Sequence, residues 1–74
     1  MKIQNEKNYT RVKTLFNENR YQEAIKFLSK KIRAKPLDHT LYALRARAFQ
    51  KVSNPQRAAE DFYQASKLDQ NSKN

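Results

Sequence analysis

No glycine occurs anywhere in this chain of 74 residues, so every turn has to be made by a residue that carries a Cβ. Glycine-rich phosphate loops, nucleophile elbows and type I′ hairpin turns all depend on residues free of that atom, and each is excluded. There is no cysteine either, which removes disulfides, thiolate metal sites and cysteine nucleophiles and makes a reducing, cytoplasmic setting the expectation. The length leaves room for one small unit with a thin core and for no second domain. No apolar stretch approaches the roughly 20 residues needed to span a bilayer. The opening Met1-Lys2-Ile3-Gln4-Asn5-Glu6 is too polar for the core of a signal peptide, so no targeting segment is expected.

With glycine absent, proline and short polar clusters supply the punctuation. Pro36 and Pro55, together with residues 17–20, 37–39 and 53–54, divide the chain into four stretches. In residues 21–35 the apolar Tyr21, Ala24, Ile25, Leu28 and Ile32 recur at three- and four-residue steps, the signature of one helical face, with Lys26, Lys30 and Arg33 roughly opposite. Residues 40–52 repeat the pattern with Leu41, Leu44, Ala48 and Val52, and a second row of Tyr42, Ala46 and Phe49 makes this the most buried segment expected. The last helix, from Pro55 to Asp69, turns Ala58, Phe62 and Ala65 inward, and the first, from about Asn5 to Phe16, carries Tyr9, Val12, Leu15 and Phe16. Strand alternation appears nowhere, so the fold class is all-α with four helices. Residues 1–4 and 73–74 fall outside this pattern, and the N-terminal four are expected to be irregular.

A repeat underlies the four stretches. Asn19 precedes Gln22, and Ser53 precedes Gln56, by the spacing at which a side-chain acceptor and a glutamine satisfy the free amides of a helix start. These two expected caps lie 34 residues apart. At that offset Ala24 pairs with Ala58, Leu28 with Phe62, Leu15 with Phe49, Val12 with Ala46 and Lys13 with Arg47, while Arg11/Arg45 and Gln22/Gln56 match outright. A helix-turn-helix unit at that stride divides the chain into two units, residues 5–38 and 39–72, stacked as antiparallel hairpins.

In Tyr42, Ala46, Phe49, Ala58, Phe62, Ala65 and Leu68-Asp69, and more thinly in Leu15, Tyr21, Ala24, Leu28 and Pro36, the chain resembles the tetratricopeptide repeat family over about residues 5–72. Three departures stand out. Lys31 and Val12 replace small residues at helix crossings, which implies a more open first hairpin. Asn19 and Ser53 replace the family's turn glycine. The distance from Ala24 to Pro36 is shorter than in the RNA-reading pentatricopeptide cousin, so the resemblance implies a protein-binding groove lined by the first helix of each hairpin. Some relatives clamp the carboxyl termini of heat-shock chaperones, but Tyr9, Lys13 and Leu44 occupy the points where that clamp needs Lys, Asn and Asn, so this ligand is not expected.

No catalytic constellation, metal site or cofactor site is legible. His39 beside Asp38 reads as a solvated or capping residue, and the adjacent Glu60 and Asp61 diverge by about 100° on a helix and cannot share a proton or a metal. The expected binding surface is the groove, with Tyr9, Lys13 and Phe16 from the first helix and Ala43, Arg47, Gln50 and Lys51 from the third. Lys13 and Arg47, at equivalent points, would clamp an acidic segment or a terminal carboxylate. Tyr9 and Phe16 read first as core residues.

Charge supplies the competing reading. Lysine and arginine total 16 against 7 acidic residues, and residues 20–35 hold six of the former and one of the latter. Lys26, Lys30 and Arg33 form a basic stripe able to meet RNA or another anionic surface, with no aromatics interleaved to stack on bases. Finally, stacked repeats need neighbours to bury their faces. The last helix leaves a seam of Ala59, Tyr63 and Ser66 that the polar residues after Asp69 cannot cover, so a partner chain, a completing helix or a second copy is expected there.

Overall fold

The computed structural model describes the backbone of residues 2–72 and the side chains of residues 9–70. It contains helices α1 (Lys2–Asn17), α2 (Tyr21–Ala34), α3 (His39–Lys51) and α4 (Pro55–Ser72), with no strand among the described residues. The helix α1 begins ahead of the Asn5 that periodicity indicated. Met1 and residues 73–74 lie outside the described residues. Short turns join α1 to α2 and α3 to α4 as hairpins, and α3 packs on both α2 and α4. The result is a slab of 36 × 30 × 17 Å whose thin dimension fits two layers of helices.

The 3.6-residue period sets which faces meet. Ala24, Leu28 and Ile32 form the buried stripe of α2. Leu28 and Ile32 join Val12 of α1 and Leu41 of α3 in one cluster, and Ala24 joins Leu15 and Ala48 in a second. Phe16 packs against both clusters. In the second hairpin most of the buried residues are small, with Ala46, Ala48, Ala58 and Ala65 all inaccessible or nearly so beside Leu41 and Asp61, which lets α3 and α4 pair more extensively than α1 and α2 do among the described residues. Val12, where the second unit has Ala46, fits this difference.

Phe62 departs from its expected inward position: it is 39% exposed. Its equivalent Leu28 is fully buried because α1 and α3 lie on either side of it. On α4 the inward positions fall to Ala58, Asp61 and Ala65, which leaves Phe62 at the rim.

Both expected caps at Asn19 and Ser53 are corrected by the backbone. Each residue adopts φ of 60°, in the left-handed region, and each ends the preceding helix instead of starting the next. Arg20 N–H donates to Leu15 C=O and Asn19 N–H to Phe16 C=O; 34 residues on, Asn54 N–H donates to Phe49 C=O and Ser53 N–H to Gln50 C=O. This pair of bonds is the Schellman helix stop, which ordinarily uses glycine. The real caps sit elsewhere: Asp38 Oδ1 accepts from Thr40 N–H at 3.1 Å, and Asn54 Oδ1 accepts from Arg57 N–H at 3.3 Å with Pro55 in the first helical position. The α2 start lacks a side-chain cap. There Arg20 instead bridges Glu23 and Glu18 with bonds of 2.6–2.8 Å, and the Arg20 hydrogen bonds hold the Glu23 carboxyl below its ordinary range.

A left-handed serine carries a steric cost of about 1 kcal/mol that glycine avoids. Ser53→Gly is therefore expected to stabilise the fold by about 0.5–1 kcal/mol, raising the melting temperature by about 2–8 °C. Asn19→Gly should gain less, because asparagine tolerates this region and Asn19 Oδ1 accepts from the Tyr21 hydroxyl at 3.1 Å. Thermal melts of both variants check this; destabilisation by Ser53→Gly would contradict the turn assignment.

Candidate functional site

Residues of α1 and α3, the first helices of the two hairpins, line a groove of about 230 Å³. Residues at three- and four-step spacing on α1, namely Tyr9, Val12, Lys13, Phe16 and Asn17, form one wall and floor, and Leu44 and Arg47 of α3 form the other. Val12 is buried, Phe16 and Leu44 half-buried, and Lys13 and Arg47 exposed. Phe16 is fixed by an edge-on contact with Tyr21, ring centres 5.2 Å apart. Among the described residues no carboxylate lines the groove, and its two cations face an apolar floor.

Four residues expected here, Tyr9, Lys13, Phe16 and Arg47, are brought together; Ala43, Gln50 and Lys51 do not line the groove. Tyr9 is not a core residue, being 54% exposed, whereas Phe16 divides its ring between the core and the groove. Val12, Asn17 and Leu44 were missed as lining. Val12 and Leu44 read only as core and Asn17 only as part of the polar break at 17–20, whereas a floor between two neighbouring helices is built from the margins of the apolar stripe.

A second concavity, of about 330 Å³, lies on α2 and gathers Lys26, Lys30 and Arg33 with Ile25 and Ser29. It shares no residue with the groove. On α4, Ala59, Tyr63 and Ser66 are exposed as expected, with Tyr63 at 66% and Lys67 Nζ 5.6 Å over its ring.

Between these surfaces sits an ion pair that sequence reasoning did not anticipate. Arg45 of α3 donates to both carboxylate oxygens of Asp61 on α4, at 2.7 and 2.9 Å, and to Ser29 Oγ of α2 at 3.0 Å. Asp61 is 6% exposed, and the guanidinium also lies 5.8 Å from the Tyr42 and Phe49 rings. Hydrogen bonding to Asp61 raises the Arg45 pKa above its ordinary value, so the guanidinium stays charged. One side chain thus ties three helices together. The equivalent Arg11 meets Phe27, the residue at the Asp61 position, as a cation over a ring at 5.8 Å.

Among the described residues no group of His, Cys, Asp or Glu is arranged to hold a metal ion, and none of the helices is long and apolar enough to cross a membrane. His39 Nε2 lies 3.4 Å from Asp69 Oδ1, linking the start of α3 to the end of α4. The geometry defines an all-α protein of two helical hairpins with a groove between their first helices. Compared with known proteins, the chain matches no family model, no curated protein and no solved structure.

Proposed function

We propose that the chain is a two-unit, tetratricopeptide-like module without enzymatic activity that holds an acidic polypeptide segment in the α1–α3 groove. One observation carries the reading: Lys13 and Arg47, equivalent across the 34-residue offset, line the same groove over an apolar floor with no acidic neighbour among the described lining residues. Two cations flanking Val12, Phe16 and Leu44 complement a peptide that alternates carboxylates with aliphatic side chains. The repeated Schellman stops and the adjacent first helices support the family resemblance.

A fluorescently labelled peptide of alternating glutamate and leucine provides the test. Binding should shift the backbone amide resonances of Lys13, Phe16, Leu44 and Arg47. The Lys13→Ala/Arg47→Ala double variant should bind at least about tenfold more weakly, since each lost charge-assisted hydrogen bond is worth about 1.5–3 kcal/mol. Its melting temperature should stay within about 2 °C of the parent, because both side chains are exposed. An equal loss on Lys26→Ala/Lys30→Ala would instead mean that the peptide senses only net charge, and would remove the groove from the account.

A further inference from the structure

The basin on α2 is built from different residues and faces a different ligand. Lys26, Lys30 and Arg33 converge on one helical face within a segment whose cations outnumber its carboxylates six to one. None of the three is ion-paired among the described residues. The nearby carboxylates are already engaged, Glu23 by Arg20 and Asp61 by Arg45. An incoming anion therefore breaks no internal salt bridge.

Ser29 adds a neutral donor. Its oxygen accepts from Arg45, which Asp61 holds in place, and its hydroxyl can rotate to donate to an anion in the basin. The remaining described lining residue is the half-buried Ile25, so among the described residues the basin offers no aromatic ring for base stacking and no protruding apolar side chain to enter a bilayer. From Lys26 to Arg33 the helix rises about 10 Å at 1.5 Å per residue. Measured along a duplex axis, on which each strand carries one phosphate per about 3.4 Å, that length covers about three phosphates of one strand. The equivalent positions on α4 are Glu60, Gln64 and Lys67, so this charge is particular to α2 and is no general property of the repeat.

We propose that this basin binds the phosphate backbone of a nucleic acid by charge and one fixed hydroxyl, without reading bases. The neutralisation of about three phosphates gives a slope of log K against log salt near −2.7 for a duplex and near −2.1 for a single strand. Duplex affinity should therefore fall about 40-fold between 50 and 200 mM salt.

Fluorescence anisotropy with two short labelled DNA duplexes of unrelated sequence, and with one of their single strands, provides the measurement. Both duplexes should bind alike. Each of Lys26→Ala, Lys30→Ala and Arg33→Ala should lower the slope magnitude by about 1. Ser29→Ala, with retained folding checked by circular dichroism, should weaken binding severalfold and leave the slope unchanged. Such a change separates a built site from diffuse attraction. The charge-matched control Lys13→Ala/Arg47→Ala/Lys51→Ala should retain most of the affinity. A control loss equal to that of Lys26→Ala/Lys30→Ala/Arg33→Ala overturns the proposal, as does a Ser29→Ala variant indistinguishable from the parent. Binding to phosphatidylserine vesicles with none to either form of DNA overturns it equally. Success or failure here is independent of the groove, whose residues serve only as the control.

Discussion

Replacing Asp61 by alanine is expected to cost about 3–5 kcal/mol, the penalty for leaving a buried guanidinium without its carboxylate. The Arg45 side chain is 21% exposed and that of Asp61 8%, so water recovers little of the loss. Arg45 would keep only Ser29 and the faces of Tyr42 and Phe49, none of which carries a compensating charge. At about 0.05–0.15 kcal/mol per residue, a chain of this size holds about 4–11 kcal/mol in all, so the variant should forfeit from about a quarter to all of its stability. Urea denaturation followed by circular dichroism reads the loss directly. Arg45→Met/Asp61→Leu, which removes both charges and fills the space with apolar side chains, should recover most of the loss. A cost below about 1 kcal/mol for Asp61→Ala would place the pair among ordinary surface salt bridges.

The same pair shows where the sequence was readable and where it was not. Helical periodicity and two prolines sufficed for four helices, because the alternation of apolar and charged positions is a local property of each segment. The 34-residue offset aligned Arg11 with Arg45, yet identity at that position concealed two different interactions, one with Phe27 and one with Asp61. A usable signal was present: Asp61 lies three residues after Ala58 and four before Ala65, on the inward face of α4. Considering Asp61 only as a neighbour of Glu60 obscured it. Asn19 and Ser53 were misplaced for a related reason. Their spacing to a glutamine imitates a capping box, while the left-handed backbone that they adopt closes the hydrogen bonds that end the preceding helix. In a chain without glycine some residue with a Cβ had to take that conformation, and the two turns were the places to look for it. The groove was half legible: its charged rim followed from equivalent repeat positions, and its floor depended on how closely α1 and α3 approach, which no single-helix pattern contains.

Leu28→Ala is expected to lower stability by about 2–5 kcal/mol, and the repeat-equivalent Phe62→Ala by only about 1–2 kcal/mol, although the latter deletes the larger side chain. Leu28 is fully buried against Val12, Ile32 and Leu41, residues of three helices, so no single side-chain movement can fill the space. Phe62, 39% exposed, leaves a dent open to water instead of a cavity. The Leu28 loss should fall first on α1, which is held chiefly through Val12 and Leu15 to α2 and has the sparsest helix contacts among the described residues. Amide hydrogen exchange should therefore show α1 losing protection ahead of α3 and α4. Leu28→Met, which conserves volume, should cost less than about 1.5 kcal/mol and restore that protection. Equal costs for Leu28→Ala and Phe62→Ala, independent of protein concentration, would mean that α4 is as enclosed as α2, and the two hairpins would have to be packed differently. Equal costs that appear only at high concentration would mean that a second copy covers Phe62, because burial lost on mutation must first have been gained by contact.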